Sequence, residues 1–373
     1  MFWKRKQHRF QDELKSYKIN ECYIEQHNFL IYCNDILVKW LHWIYDNNLC
    51  KMQINFKNEE EMKSFSKERD NNLMTWLKDN GYEMEMYELN RRHILCSLVA
   101  DFCHYMLESF VCAAKMKPAV AYALLRKPLR DNLAYIEWLR VEPKELIDKL
   151  LYCQPEEYDL SCKKELKKKH IEQIYEKYKI DRNNGMFAFR YEKNEDISLE
   201  KIWNKANHIV TTQKYTKSAQ GELNFVFVDS EQLEHYTEYY YTVVPQIMAY
   251  ATELIVGMFE EIADINPFTQ TVNKILMTLH QAYGMGLSYY QEGKQMLEVD
   301  KCPLICPYCG KKIILNDTNM DKLLFSVGVH IMHAEIVSAV QISRDPLQMR
   351  QQRGRERRHG GEHGRRKDHA DDR

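Results

Sequence analysis

Apolar residues recur every three or four positions along most of this chain, the spacing that gives an α-helix one apolar face. Phe29, Ile31, Ile36, Leu37, Trp40, Leu41 and Ile44 set a first helix. Met62, Phe65, Leu73, Trp76 and Leu77 form a narrower packing stripe within the charged segment Glu59 to Lys78. A long helix is predicted from about Met84 to Met116, where Leu95, Val99, Phe102, Met106 and Phe110 contribute to a wide apolar surface. Two more are predicted, from about Ser230 to Ile262 and from about Thr269 to Leu297. Asn224-Phe-Val-Phe-Val, after Gly221, alternates as a strand or extended segment does.

The stretch PAVAYALLRKPLRDNLAYIEWLR starts a helix cleanly, because Pro118 suits a first-turn position. Pro128 falls inside the pattern and should kink or divide that helix, since proline has no N–H to donate. At about 100° per residue Leu125, Leu129, Leu133, Ile136 and Leu139 share a face, and Arg126, Arg130 and Glu137 lie together on its border. These three are therefore placed to meet one another or a partner helix. In ISLEKIWNKANHIVTTQ the helical pattern resumes through Leu199, Ile202, Trp203, Ala206 and Val210.

Composition agrees with the pattern. The 373 residues are 45% hydrophobic, and only 13 glycines and 9 prolines are present, too few for a strand-and-turn architecture. The formal net charge of −1 points to neither nucleic acid nor a membrane surface, but it conceals an asymmetry. Arg344 to Arg373 holds 10 Lys+Arg against 6 Asp+Glu, so the rest of the chain carries 43 basic and 48 acidic residues. That Arg/Gly/His-rich tail, 344–373, cannot bury a core and is expected to be disordered. It reads equally as a basic arm for nucleic acid and as a frameshifted end of the gene. The lysine-rich KKELKKKHIEQIYEKYK reads as a solvated helix face over Ile171, Ile174, Tyr175 and Tyr178, its alternative being a phosphate-contacting arm.

The first residues lack the apolar core of a secretory signal. The most apolar runs, Ile94–Met116 and Val243–Met258, carry Asp101, His104, Glu108 and Glu253, so they read as buried helices rather than membrane spans. The expectation is a cytoplasmic protein with no membrane partner. Eight of the 11 cysteines are dispersed, as buried free thiols are.

The other three fall within Cys302–Cys309, in KCPLICPYCGKK. Cys306-Pro-Tyr-Cys309-Gly310 has the form of a zinc knuckle: two thiolates two residues apart clasp one side of a tetrahedral ion, and the glycine permits the tight turn. The remaining ligands come from His330 and His333, at i and i+3 on a helix predicted over Asp321 to Val340, with Cys302 and the more distant His280 as alternatives. Four protein ligands leave no open position for catalysis, so the zinc is read as structural. The spacing departs from that of DNA-reading zinc fingers. No phosphate-binding glycine loop, GxSxG elbow or HExxH occurs, which excludes a nucleotide cofactor and lowers the case for hydrolase chemistry.

AVAYALLRKPLRDNLAYIEWL followed by IWNKANHIVTTQ resembles the paired helices of HEPN-like bacterial proteins, all-helical bundles that include toxin and antiphage ribonucleases. The similarity spans about residues 85–265. It implies RNA as partner and a bacterial setting in defence or toxicity; a second copy of the chain, in a homo-oligomer, is a further partner weighed beside it. If the chain is an enzyme, the resemblance implies a metal-independent ribonuclease in which histidine moves a proton and arginine stabilises phosphate charge. Carried onto this sequence, the site is Arg126, Arg130, Asn207 and His208. The family's R-x4-6-H spacing is absent from the body and occurs only in the tail, as with Arg358 and His363.

The architecture expected is mainly α: a helical region over 1–82, a HEPN-like bundle over 83–298, a zinc-knuckle unit over 299–343 and the disordered basic tail. Two functions fit it, RNA binding or cleavage and, alternatively, a non-catalytic helical interaction module with a structural zinc site. Purified protein should carry about one zinc per chain, lost in Cys306→Ser/Cys309→Ser. Elemental analysis that finds no zinc in the wild type, or full retention in the variant, removes the knuckle.

Overall fold

A computed structural model describes residues 19–68, 72–180, 185–192, 198–212, 217–225, 230–267, 269–270, 273, 277, 304–305 and 312–313. These residues are mainly α, as the periodicity predicts. The helices are α1 (Ile24–Asp46), α2 (Glu59–Glu68), α3 (Leu73–Asp79), α4 (Glu83–Ala114) and α5 (Pro118–Arg126). A π-helical turn (Lys127–Asn132) joins α5 to α6 (Leu133–Val141). Then come α7 (Pro143–Tyr152), α8 (Pro155–Tyr158), α9 (Lys164–Tyr178), α10 (Met186–Tyr191), α11 (Leu199–Asn207) and α12 (Ser230–Ile262).

Described residues up to Asp264 form one compact unit. Helix α4 is its axis, packing against α1, α3, α5, α6, α7 and the π turn. Its Leu95, Val99, Phe102, Met106 and Phe110 are all buried. Helix α12 lies mainly on α1, and α9 on α6. Trp76, Leu77, Tyr82 and Met86 form a satellite cluster with Phe56 and Phe65. Both α4 and α12 are long and apolar enough to cross a membrane by length and composition. The most apolar window of α12 is 78% buried by the rest of the chain, that of α4 44%.

Pro118 stands in the first turn of α5 as expected. Pro128 divides the pattern as expected, standing at the start of the π turn that separates α5 from α6. The Leu133 N–H reaches back five residues to Pro128 O rather than four to Leu129 O. Tyr236, Tyr239, Tyr240 and Tyr241 are a core stripe rather than an exposed stacking platform. Tyr240 meets Ser109 Oγ at 2.8 Å, and Tyr122 OH donates to Tyr236 O at 2.7 Å. Of the alternating stretch 224–228, residues 224–225 are described and are not in a strand, Asn224 N–H donating to Ile209 O at 2.7 Å; 226–228 lie outside the described residues.

A second unit begins at Ile265. It contains an antiparallel pair, β1 (Leu304–Ile305) and β2 (Lys312–Ile313), in register Leu304↔Ile313 and Ile305↔Lys312. Most of the helix predicted over Thr269 to Leu297, the helix predicted over Asp321 to Val340 and the tail lie outside the described residues.

At the centre of the first unit, Glu137 on α6 and Arg190 on α10 form a fully buried ion pair. Arg190 Nε also donates to Leu129 O at 2.7 Å, the carbonyl an α-helix would have offered Leu133. Tyr191 OH donates to Arg130 O at 2.9 Å, and Tyr250 OH to Glu137 Oε1 at 2.9 Å. Of the two partnerships expected for these residues, one another or a partner helix, the second is observed: α10 supplies the cation for Glu137, and Arg130 pairs with Glu200 on α11.

Arg190→Met leaves a buried carboxylate without its cation and should cost about 3–5 kcal/mol in urea denaturation. Glu137→Leu/Arg190→Met, which removes both charges, should recover much of that loss. A single variant as stable as wild type would show that the pair contributes nothing.

Candidate functional site

The sequence-predicted residues occupy two ends of one contact. Helix α11, which carries Asn207, packs directly on α5, which carries Arg126. The two segments behind the family resemblance are therefore neighbours despite 62 residues of intervening chain. Ser198 starts α11 locally, its side chain accepting the Glu200 N–H at 3.2 Å. Arg126 is half-buried at the end of α5.

Arg130 leans toward the start of α11. Its Nε lies 3.3 Å from Glu200 Oε2, and its Nη1 is 3.9 Å from Asp131 Oδ1. Asn207 and His208 lie at the other end of that helix, both exposed. Asn207 Nδ2 donates to its own helix at Trp203 O, 2.8 Å. The His208 carbonyl accepts from Asn224 Nδ2 at 2.9 Å. The eight residues from Glu200 to His208 span about 12 Å of helix. The structure thus brings Arg130 to α11 but leaves it at the opposite end from His208.

What joins Arg130 is Lys167, which the sequence reading treated as one of a solvated run. Most of that run behaves as read. Lys164 pairs with Glu192, Lys168 with Glu172 and Lys169 with Glu142, all on the outside. Lys167 turns inward instead and is 3% exposed. Its ammonium sits over the Tyr191 ring, 4.8 Å from the centroid. Burial, then the Arg130 and Arg190 guanidiniums, push its pKa down to about 8; Asp131 and Glu200 oppose this. A signal existed for it: Lys167, Ile171 and Ile174 stand at i, i+4 and i+7 on α9, and both isoleucines are buried.

Three cations, Arg130, Lys167 and Arg190, thus gather around Tyr191. Arg190 is committed to Glu137 and to the π turn. Arg130 is the member that reaches solvent, its side chain 17% exposed. Its second terminal nitrogen, Nη2, takes part in neither ion pair. Lys167 lies beneath it as a charge in a low-dielectric setting, where its field is screened little. Such an arrangement can hold an anionic group against the Arg130 edge.

A second buried polar group lies beside α9. His170 is fully buried and stacks on Trp138, ring centroids 5.5 Å apart. Its Nε2 is 3.6 Å from Glu142 Oε2, and burial lowers its pKa to about 4, so it is neutral near pH 7. With no route to solvent it reads as a packing residue.

Of the metal residues, Cys306, Cys309, His330 and His333 lie outside the described residues, as do Cys302 and His280. The pair β1–β2 brackets positions 306–311. Among the described residues no group of three or more His, Cys, Asp or Glu side chains is arranged to hold a metal ion. No protein-family model, no curated protein and no solved structure matches this chain.

Lys167 is kept charged at a cost to folding. Its pKa is about 8 in the folded chain, against about 10.4 unfolded. Below pH 8 both states are protonated and the full penalty is present. Between about pH 8 and 10.4 the unfolded chain holds the extra proton, so stability rises with pH. Lys167→Met should therefore raise the urea midpoint at pH 7, with the gain shrinking as pH rises through that window. An unchanged or lower midpoint at pH 7 contradicts the buried charge.

Proposed function

We propose that this chain is a HEPN-like, cytoplasmic bacterial protein that binds RNA, with the Arg130 edge as a phosphate contact and Lys167 reinforcing it from below. The observation that carries the reading is Lys167 itself. A buried ammonium with two guanidiniums acting on it destabilises the fold, and residues that cost stability gather where function needs them. The contact of α11 with α5 supports the family resemblance, because it unites the two segments on which that resemblance rests.

Binding is favoured over cleavage by the distance along α11. A proton-transfer histidine must come within hydrogen-bond reach of the group that the arginine holds. His208 stands about 12 Å along the helix from the residue that Arg130 contacts. The zinc knuckle, in this reading, is a structural clasp and takes no part in chemistry.

A second reading, the non-catalytic interaction module, is supported by the surface beside His208. Ile209, Val210, Leu223 and Phe225 are exposed together there. Asn224 ties their two segments, its side chain bonding His208 O and Thr211 Oγ1.

The decisive measurement is RNA affinity and turnover in wild type, Lys167→Met, Arg130→Met and His208→Ala. Wild type should bind single-stranded RNA with an affinity that falls as salt rises. Lys167→Met and Arg130→Met should weaken it about tenfold, equivalent to about 1.4 kcal/mol, while His208→Ala binds as wild type does. No RNA binding by folded wild type leaves the interaction module standing. Cleavage lost specifically in His208→Ala restores the nuclease.

A further inference from the structure

Cys50 and Cys96 are the described cysteines whose sulfurs touch. Their Sγ atoms are 3.6 Å apart, 46 residues distant in sequence. Cys96 is fully buried on α4, and Cys50 is 6% exposed in the turn that follows α1. Two features hold that turn in place. Asn48 takes a left-handed φ of 55°, which lets Leu49 N–H close onto Ile44 O at 2.9 Å. Arg92 Nη1 then donates to Leu49 O at 2.7 Å, fastening the residue before Cys50 to α4. The sulfur contact is therefore framed by a backbone tie rather than left to two rotamers.

The two thiols differ in access and reactivity. Burial, and then the neighbouring Cys50, raise the Cys96 pKa, so Cys96 does not react first with an outside reagent. Cys50 retains a small exposure to solvent, so it is the thiol that a small oxidant such as a hydroperoxide meets first. We propose that Cys50 and Cys96 form a peroxide-responsive thiol pair that closes to an intramolecular disulfide between the α1–α2 connection and α4.

The steps balance. The Cys50 sulfur attacks one oxygen of hydrogen peroxide, the O–O bond breaks, and water leaves, giving a sulfenic acid at Cys50. The Cys96 sulfur then attacks the Cys50 sulfur, the S–O bond breaks, and the departing hydroxide takes the Cys96 proton as a second water. Two thiols are oxidised by two electrons and one peroxide is reduced to two waters. The sulfurs must close from 3.6 Å to the length of a covalent bond, about 2.05 Å. That movement falls on the turn at residues 47–50, which belongs to neither helix. Cys22 and Cys162 are exposed free thiols, and they serve as internal controls for untargeted oxidation.

The test treats the full chain with a small molar excess of hydrogen peroxide, alkylates it under denaturing conditions and maps it without reduction. The expected result is a Cys50–Cys96 linked peptide, two fewer alkylated thiols and a mass lower by two hydrogens. The oxidised chain should also show an upward shift in urea midpoint that dithiothreitol reverses. Cys50→Ala, altered at the less buried partner, should show no such shift. Full alkylation of both cysteines after treatment overturns the proposal, as does recovery of Cys50 as a sulfinic acid with Cys96 still a free thiol.

Discussion

The ion pair between Glu137 and Arg190 decides how the rest of the bundle is arranged. Two opposite charges taken out of water repay their desolvation best when the donors and acceptors near them are satisfied. Arg190 divides its donors among Glu137, Leu129 O and Tyr191, and Tyr250 donates to the same Glu137 Oε1, while Glu137 Oε2 is buried with no hydrogen-bond partner among the described residues. The network thereby fixes α6, α10 and α12 in one relation, because each contributes one residue. It also explains why a π turn persists at Pro128. The carbonyls that a widened turn leaves poorly used are the ones that Arg190 and Tyr191 occupy.

The same network shapes the candidate site. Tyr191 is oriented by Arg130 O, and its ring is the surface on which the Lys167 ammonium rests. Arg130 lies within the π turn and is turned toward α11, where it meets Glu200. A cationic edge at the bundle surface is thus built over a buried ion pair and a buried ammonium. This differs from a basic surface patch, in which lysines are spread over a helix and neutralised locally, as Lys168 is by Glu172.

Much of the fold was legible because its helices are long. Over thirty residues a 3.6-residue period outweighs local noise, and α4 and α12 begin and end within two residues of where the apolar pattern places them. Breakers were legible where their effect is local, as at Pro118. The central ion pair was not, for a physical reason. Arg190 is a single charge in the short apolar run MFAFRY, and nothing in one dimension shows that the interior offers it Glu137. Lys167 was hidden by its neighbours: in a run of lysines the outward members set the impression of a solvated face, and only the isoleucines one and two turns on betray the inward one. Asn207 and His208 stand at the end of a helix that packs on the arginine helix, but which end meets Arg130 depends on the direction in which two helices cross, which no spacing records.

The π turn has a consequence for what lengths of chain this fold can tolerate. A π turn holds one residue more than an α-turn. Deleting one residue between Lys127 and Asn132 would relax it to regular helix and keep the phase of α6, because the widened turn already absorbs one residue's worth of rotation, about 100°. Adding or removing a residue in the regular helix on either side would instead swing Glu137 off Arg190 and turn the apolar stripe of α6 away from α4 and α9. The joint is therefore where this helix can change length, and what a deletion there would reclaim is the Leu129 carbonyl that Arg190 uses.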